Sequence, residues 1–212
     1  RAQVASLPTP PDTVSAGTQP LWEVAMGAGL MRLPHYPGSH QAKTWLLPLP
    51  YVIYRGAIFK ADREGARAEF LKTDDWRFDL SVAAGAPTNS KDNLARQGMA
   101  NLAPTLEFGP NFIWTMARGQ GWRLETRVPV RGALTLARSP KVVGFVTTPN
   151  INFDIVIQGW DFGVYVGPVF ATRKQNGYYY DVPVSDATVS RPAYQSGGGY
   201  AGSQLVFGTS KR

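Results

Sequence analysis

Apolar and polar residues alternate with a period of two along most of the chain after Trp22. This alternation is typical of β-strands that have one apolar face and one polar face. No long window has apolar residues at the helical spacing i, i+3, i+4, i+7. The alternation and the turn residues between segments predict nine strands, near 22–33, 44–54, 57–71, 76–86, 104–117, 121–136, 142–157, 160–172 and 200–208.

The strand predicted over 57–71 differs from the others because its charged residues fall on both faces. These residues are Lys60, Asp62, Arg63, Glu64, Arg67 and Glu69. A strand cannot bury either face under such a pattern, so we expect a break in the middle of this segment.

Two architectures fit the alternating strands. A soluble sandwich or barrel turns the apolar face inward, whereas a membrane barrel turns it outward to lipid. Several predicted strands run to about 15 residues, where globular strands have about 5–6 and a bilayer crossing needs about 9–11. Tryptophans and tyrosines stand at segment ends, as in an interfacial aromatic belt: Trp22, Trp45, Tyr54, Trp76, Trp114, Trp122 and Trp160. These features favour the membrane barrel, with the soluble barrel as the alternative.

Composition narrows the classes of function. The chain has 212 residues, 17 % of them charged, with 2 His and no Cys. The absence of Cys excludes disulfides, a thiol nucleophile and Cys-ligated metal. The longest apolar run, Trp45–Tyr54, is too short for a membrane-spanning helix. The net charge of +7 is spread along the strands, so no nucleic-acid partner is expected.

Residues 1–20 are Pro-rich and without periodicity, which predicts a flexible tail before a barrel over 21–212.

Five motifs follow one another in the order of a known family. They are His35–Ser39, the Leu47–Tyr51 and Tyr54–Gly56 pair, Ala61–Gly65, Pro104–Glu107 with Gly109–Pro110, and Tyr178–Val182. Over about 22–211 the chain resembles the MipA/OmpV family, the MltA-interacting outer-membrane proteins of Gram-negative bacteria.

The resemblance implies an exported protein of the cell envelope whose signal peptide has been removed. Its expected fold is all-β, an antiparallel transmembrane β-barrel of about ten strands, with C-terminal strands missing beyond Arg212. Its expected role is a non-enzymatic scaffold that links a murein lytic transglycosylase to a penicillin-binding protein in peptidoglycan synthesis. Other members resemble adhesins, so a narrow channel or a surface-exposed binding barrel is the alternative. Expected surroundings are outer-membrane lipid and lipopolysaccharide.

Charged residues on the polar faces are the candidate lumen-lining residues. They are Arg77, Asp79, Glu107, Arg123, Glu125, Arg127, Arg131 and Asp154. They either line a water-filled pore that sets ion selectivity or pair across the lumen and plug it. The plugged arrangement is favoured, because the interior of a barrel of about ten strands is narrow and largely filled by side chains.

The longest segment without a predicted strand, 174–200, supplies the candidate partner-contacting loop. Its residues of interest are Tyr178, Tyr179, Tyr180 and Asp181, since tyrosine clusters suit recognition surfaces. If Arg1 lies in the periplasm, the count of strands places 86–103 and 174–200 in the periplasm as well, where murein enzymes act.

His35 and His40 flank a turn that contains Ser39. Two histidines are too few for a zinc site, and no third group orients a Ser–His pair. We therefore predict an exposed loop, with no catalytic residue, metal or cofactor.

Overall fold

Long antiparallel strands dominate the computed structural model, which describes residues 22–55, 59–62, 65–68, 71–73 and 75–211. The tail predicted over 1–20 lies outside the described residues. The strands are β1 Trp22–Pro34, β2 Ala42–Arg55, β3 Phe59–Asp62, β4 Gly65–Ala68, β5 Leu71–Lys72, β6 Trp76–Gly85, β7 Thr105–Gly119, β8 Trp122–Thr135, β9 Val142–Thr147, β10 Asn150–Ile157, β11 Trp160–Ala171 and β12 Gly199–Lys211. One α-helix, α1, spans Arg173–Tyr180 between β11 and β12.

The strands form two antiparallel sheets. The first has the order β1-β2-β3-β4, and the second contains the eight strands β5 to β12. Among the described residues, β12 pairs only with β11 and β1 pairs only with β2. The prediction of an antiparallel β fold is confirmed, with one short helix added, and in the described residues no strand pair joins the two sheets into a closed ring.

The strand predicted over 142–157 is interrupted. Thr148 and Pro149 separate β9 from β10, yet both halves lie between β8 and β11 and pair with each. Proline has no N–H to donate to the ladder, so Pro149 ends the pairing locally. The prediction of one continuous strand is therefore wrong, although both halves occupy a single strand position in the sheet.

The segment predicted as a third crossing strand over 57–71 does not cross the sheet. It contains β3 and β4, which pair with each other as a hairpin, and the two-residue β5, which pairs with β6. The expected break is confirmed and the single strand is wrong, because charges on both faces prevent a long two-sided strand.

The loops divide between two ends of the molecule. The turn end carries the tight turns at 120–121 and 158–159, the connection from the end of β2 to the start of β6 that contains β3, β4 and β5, the start of β1 and the end of β12. The loop end carries 35–41, 86–104, 136–141 and 172–198. The strand-count prediction placed 86–103 and 174–200 on the side where the chain enters β1. That prediction is wrong, because the segment over 57–71 makes no crossing and every later strand is shifted by one.

The second sheet buries many polar side chains on one face and exposes many apolar side chains on the other, although Ile113, Val143 and Val146 are buried. Its buried polar residues include Asp79, Thr105, Glu107, Asn111, Glu125, Arg131 and Asn152. Its exposed apolar residues include Val82, Phe108, Trp114, Val130, Phe145, Ile151, Val166, Leu205 and Phe207. This is the reverse of a water-soluble sheet, whose apolar face forms the core. No helix in the described part of the chain has the length and apolar character needed to cross a bilayer.

Candidate functional site

A cluster of five charged residues occupies the polar face of the second sheet near the turn end. We call this the charged cluster, and its members are Arg77, Arg123, Glu125, Arg127 and Asp154. The Glu125 side chain is fully buried (0 % exposed) at its centre. Arg77 lies on β6, the three residues Arg123, Glu125 and Arg127 lie on β8, and Asp154 lies on β10. Strand alternation thus places all five on one face.

Glu125 binds three arginines at once. Its Oε1 lies 3.1 Å from both Arg77 Nη1 and Arg123 Nε. Its Oε2 accepts hydrogen bonds from Arg127 Nε and Nη2, at 3.0 and 2.8 Å. The contacts from Arg77 and Arg127 are charge-assisted hydrogen bonds, which are stronger than neutral ones. The contact of Arg123 Nε with Oε1 is an ion pair without a hydrogen bond.

Asp154 is the second carboxylate of the charged cluster. Its Oδ2 accepts a hydrogen bond from Arg123 Nη2 at 3.3 Å and lies 3.7 Å from Arg127 Nη2. Asn152 Nδ2 donates to the same oxygen at 2.7 Å. The structure thus brings Asp154 together with the four β6 and β8 residues of the cluster, all five of which sequence reasoning proposed as lumen-lining.

The other three proposed residues lie towards the loop end, in two pairs of polar contacts that we call the second network. Arg131 Nε donates to Glu107 Oε2 at 3.2 Å, and Asn111 Nδ2 donates to Asp79 Oδ1 at 2.9 Å. Arg131 also donates to Ser81 Oγ and Thr148 Oγ1, at 3.1 and 3.3 Å. All eight residues therefore lie on the polar face, four arginines against four carboxylates, with a formal net charge of zero.

Helix α1 packs against this second network. Gln175, almost completely buried, donates from Nε2 to Glu107 Oε1 at 3.3 Å. Thr172 caps the helix, since its Oγ1 accepts from Gln175 N at 3.4 Å. The spacing Thr172-x-x-Gln175 is a capping-box signature, and this signal could have identified the helix from sequence. Periodicity missed α1 because the helix has no apolar face and is held by polar contacts.

The four proposed partner-contacting residues make their contacts within this chain. Tyr178 Oη donates to Ala103 O at 2.8 Å, and Tyr180 Oη donates to Pro37 O at 2.9 Å. Tyr179 Oη lies 3.4 Å from Thr105 Oγ1 on β7. Asp181, just after α1, bonds to Ser196. Burial raises the pKa of Tyr178, so its hydroxyl stays protonated and remains a donor. The tyrosine cluster therefore joins α1 to the rest of the loop end.

Hydrogen bonds connect three loops at the loop end. Arg96 takes part in this connection, and sequence reasoning did not identify it. Its Nη1 donates to Tyr179 O at 2.8 Å and its Nη2 to Ala100 O at 3.2 Å. Burial lowers the pKa of Arg96. Asn93 Nδ2 reaches Ser39 Oγ at 3.2 Å, which ties 86–104 to 35–41. We call 35–41, 86–104 and 172–198 together the cap.

In the β1–β2 turn, His35 and Ser39 both contact Asn93 of the 86–104 loop. His35 Nδ1 lies 3.2 Å from Asn93 Nδ2, and Ser39 Oγ donates to Gln41 O at 3.0 Å. Within the described ranges, no group of three or more His, Asp or Glu residues could hold a metal ion. The contacts of His35 and Ser39 instead join the turn to the rest of the cap.

A cavity of about 150 Å³ lies between the polar face and the cap. Its lining residues come from the turn after β1, from β6 to β8, from the β9–β10 junction, and from α1, β11 and β12. They include Tyr36, Asn111, Arg127, Arg131, Asn150, Tyr165, Tyr179 and Gln204. The lining thus combines polar and aromatic side chains, two of them arginines, with apolar residues such as Leu33, Val82 and Pro129.

Gly144 on β9 allows α1 to dock, so Gly144→Ala is expected to release the helix. Its φ is +144°, and an added Cβ would lie 2.7 Å from the backbone nitrogen of Gln175. Alanine at such a φ costs more than about 1 kcal/mol before the clash is counted. Equilibrium unfolding should show this loss, and trypsin should cut faster at Arg173 and Lys174.

Gly132→Ala on the neighbouring strand β8 is the matched control. Its added Cβ would meet Phe145 at 3.5 Å, an ordinary contact, and its φ is not positive. Equal trypsin sensitivity in the two variants would contradict the docking role of Gly144.

The link between Asp181 and Ser196 should make the cap sensitive to acid. Ser196 N and Oγ both donate to Asp181 Oδ1 at 2.7 Å. The backbone bond from Ser196 holds the pKa of Asp181 below its usual 3.8 and outweighs the opposing effect of burial. A carboxylate with a lowered folded-state pKa stabilises the fold above its unfolded pKa, and this stabilisation is lost as pH falls through the folded value.

Hydrogen exchange over 182–198 should therefore be well protected between about pH 5 and 8 and lose protection below about pH 4. Asp181→Asn should show weaker protection throughout and no added loss in acid. The same acid-dependent loss in Asp181→Asn would show that another group is responsible.

Comparison with known families gives one match. A family model described as MltA-interacting protein MipA matches residues 26–212. No curated protein and no solved structure matches the chain.

Proposed function

Taking as our premise that the chain belongs to the MipA family, we propose that it is a non-enzymatic β-barrel protein of the bacterial outer membrane. The observation that carries the proposal is the reversed second sheet, with charged residues buried on one face and apolar residues exposed on the other. Monomeric soluble proteins rarely expose large contiguous apolar surfaces, whereas a membrane barrel requires one all the way round.

The dimensions of the apolar surface support a lipid-facing band. On β7 the outward residues run from Leu106 to Met116. Ten residue steps span about 34 Å along a strand, or about 26 Å across the membrane at the usual barrel tilt. That height agrees with the apolar band of about 25 Å found on outer-membrane barrels.

Tryptophans at the turn end support a membrane–water boundary there. Trp76, Trp114, Trp122 and Trp160 are all partly exposed and all lie in the last residues before this end. Tryptophan is enriched at headgroup level because its ring is amphipathic. Lys211 Nζ lies 5.7 Å from the centre of the Trp160 ring, where a cation would reach lipid phosphates.

We propose that the turn end faces the periplasm and the cap faces outward. Outer-membrane barrels have short periplasmic turns and longer extracellular loops. Both tight turns of this chain lie at the turn end, and the loops 86–104 and 172–198 lie at the other end. A scaffold that joins a lytic transglycosylase to a penicillin-binding protein would then bind these enzymes at the turn end. Lipid and lipopolysaccharide would surround the apolar band.

Thiol labelling of intact cells tests this orientation, since the chain has no Cys. Val189→Cys, on a fully exposed cap residue, should react with a membrane-impermeant reagent in whole cells. Gln120→Cys, in an exposed turn at the turn end, should react only after the outer membrane is permeabilised. The reverse pattern would contradict the orientation, and a protein soluble without detergent would contradict the membrane proposal.

A surface-exposed binding barrel is the second candidate function, and the single large cap favours it. Exposed residues of the cap include Leu94, Val184, Val189 and Tyr194. A narrow open channel is less favoured, because the charges on the polar face are paired and α1 contacts Glu107 on that face. Co-purification with a lytic transglycosylase, lost on altering the turn end, would favour the scaffold. Binding lost on altering the cap would favour the surface receptor.

A further inference from the structure

The cavity under the cap has buried polar groups in its wall. Glu107, Asn111 and Arg131 each line it and are each at least nine-tenths buried. At about 30 Å³ per water molecule, its volume of about 150 Å³ corresponds to about five waters. A polar space of this size suits a small solute that takes the place of those waters.

Asn111 presents an acceptor that no described residue satisfies. Its Nδ2 donates to Asp79 Oδ1 at 2.9 Å, so the amide oxygen Oδ1 points the other way as an acceptor. Asn111 Oδ1 therefore needs a donor, and it receives none from the described part of the chain. A buried acceptor without a donor is costly, so a hydroxyl group placed there would be favourable.

The charges in the wall favour a neutral solute. The arginines that line the cavity are both paired, Arg131 with Glu107 and Arg127 with Glu125. A charged solute would have to compete with one of these ion pairs, each of which has a buried carboxylate, whereas a neutral solute leaves both intact. The other polar groups that line the cavity include the amides of Asn150 and Gln204 and the phenols of Tyr165 and Tyr179. Amides and phenols both donate and accept hydrogen bonds, as a hydroxylated solute requires.

We propose that this cavity is a binding site for a small neutral solute rich in hydroxyl groups, a polyol or a monosaccharide. Asn111 Oδ1 anchors one hydroxyl, and the aromatic rings of Tyr165 and Tyr179 supply apolar contact. This inference deepens the proposed function, because it names a ligand for the interior of the proposed barrel. It rests on the proposed function only for the route by which the solute enters the cavity.

Protection of an introduced cysteine tests the site. Ala83 lines the cavity on β6, so Ala83→Cys places a thiol there with a small change in volume. Methyl methanethiosulfonate is the reagent, with glycerol and D-glucose as neutral probes and D-glucose 6-phosphate and glutamate as charged ones. At ten times the Kd, a neutral probe should slow labelling by about tenfold, since about a tenth of the sites stay free. Ala137→Cys, exposed in the β8–β9 connection, should react at an unchanged rate.

Asn111→Leu in the Ala83→Cys background should abolish the protection. If that variant does not fold, Gln204→Ala at the other side of the cavity should weaken the protection. If the cavity holds only water, neither glycerol nor D-glucose will slow the labelling of the introduced cysteine, and that result would overturn the proposal. Equal protection by the charged probes, or protection that survives both variants, would also overturn it. The labelling works equally on a soluble protein, so its result is independent of the membrane proposal.

Discussion

Glu125→Gln is expected to destabilise the protein by about 3 kcal/mol, the lower end of the range for breaking a buried ion pair. The substitution removes the one carboxylate that binds Arg77, Arg123 and Arg127 together, and Asp154 alone would then face three guanidinium groups. The lower end applies because Arg123 and Arg127 keep about a third of their side-chain surface in contact with solvent. Urea unfolding of protein refolded into lipid vesicles measures the loss.

Asp75→Asn is the matched control for this loss of a carboxylate. Asp75 is 67 % exposed and lies 3.7 Å from Arg118, so its removal should cost less than about 1 kcal/mol. Equal losses in Glu125→Gln and Asp75→Asn would contradict the central position of Glu125 in the charged cluster.

Val130→Arg is expected to cost about 2–4 kcal/mol in a lipid bilayer, because it places a charge on the lipid-facing surface near mid-strand. Val130 is 47 % exposed on β8, on the face opposite Glu125. In water the same substitution at an exposed position would change stability by no more than about 0.5 kcal/mol. The expected loss of unfolding free energy is therefore several times larger if Val130 faces lipid than if it faces water. Urea unfolding in lipid vesicles distinguishes the two cases.

Val189→Arg makes the same change at a fully exposed residue of the cap. It should leave the stability unchanged whatever surrounds the second sheet. A Val130→Arg variant as stable as Val189→Arg would mean that the apolar face does not meet lipid.

Alternation alone was enough to predict which residues share a face. Because side chains alternate strictly along a strand, Arg123, Glu125 and Arg127 had to lie together whatever the architecture. The predicted bounds of the strands that became β6, β7, β8 and β11 agree with the structure to within two residues. The lumen these residues would line remains a prediction, since it requires a closed barrel.

The features that sequence reasoning missed depend on contacts between distant residues. Pro149 sits inside an alternating segment, and only its effect on pairing with β8 and β11 reveals the interruption. Helix α1 has no apolar periodicity, because Gln175 and Tyr178 hold it through hydrogen bonds to β7 and to the 86–104 loop. The strand count failed because local pattern cannot show that 57–71 folds back on itself.

The most direct test of the central claim is the accessibility of spin labels on the exposed apolar face. Phe108→Cys, Val130→Cys and Ile151→Cys place labels on β7, β8 and β10, and Val189→Cys places one on the cap. In protein reconstituted into lipid vesicles, the three strand labels should relax mainly through oxygen, which concentrates in lipid. The Val189 label should relax mainly through a water-soluble nickel chelate. Strand labels that relax through the nickel chelate would show that the apolar face meets water, and would contradict the account.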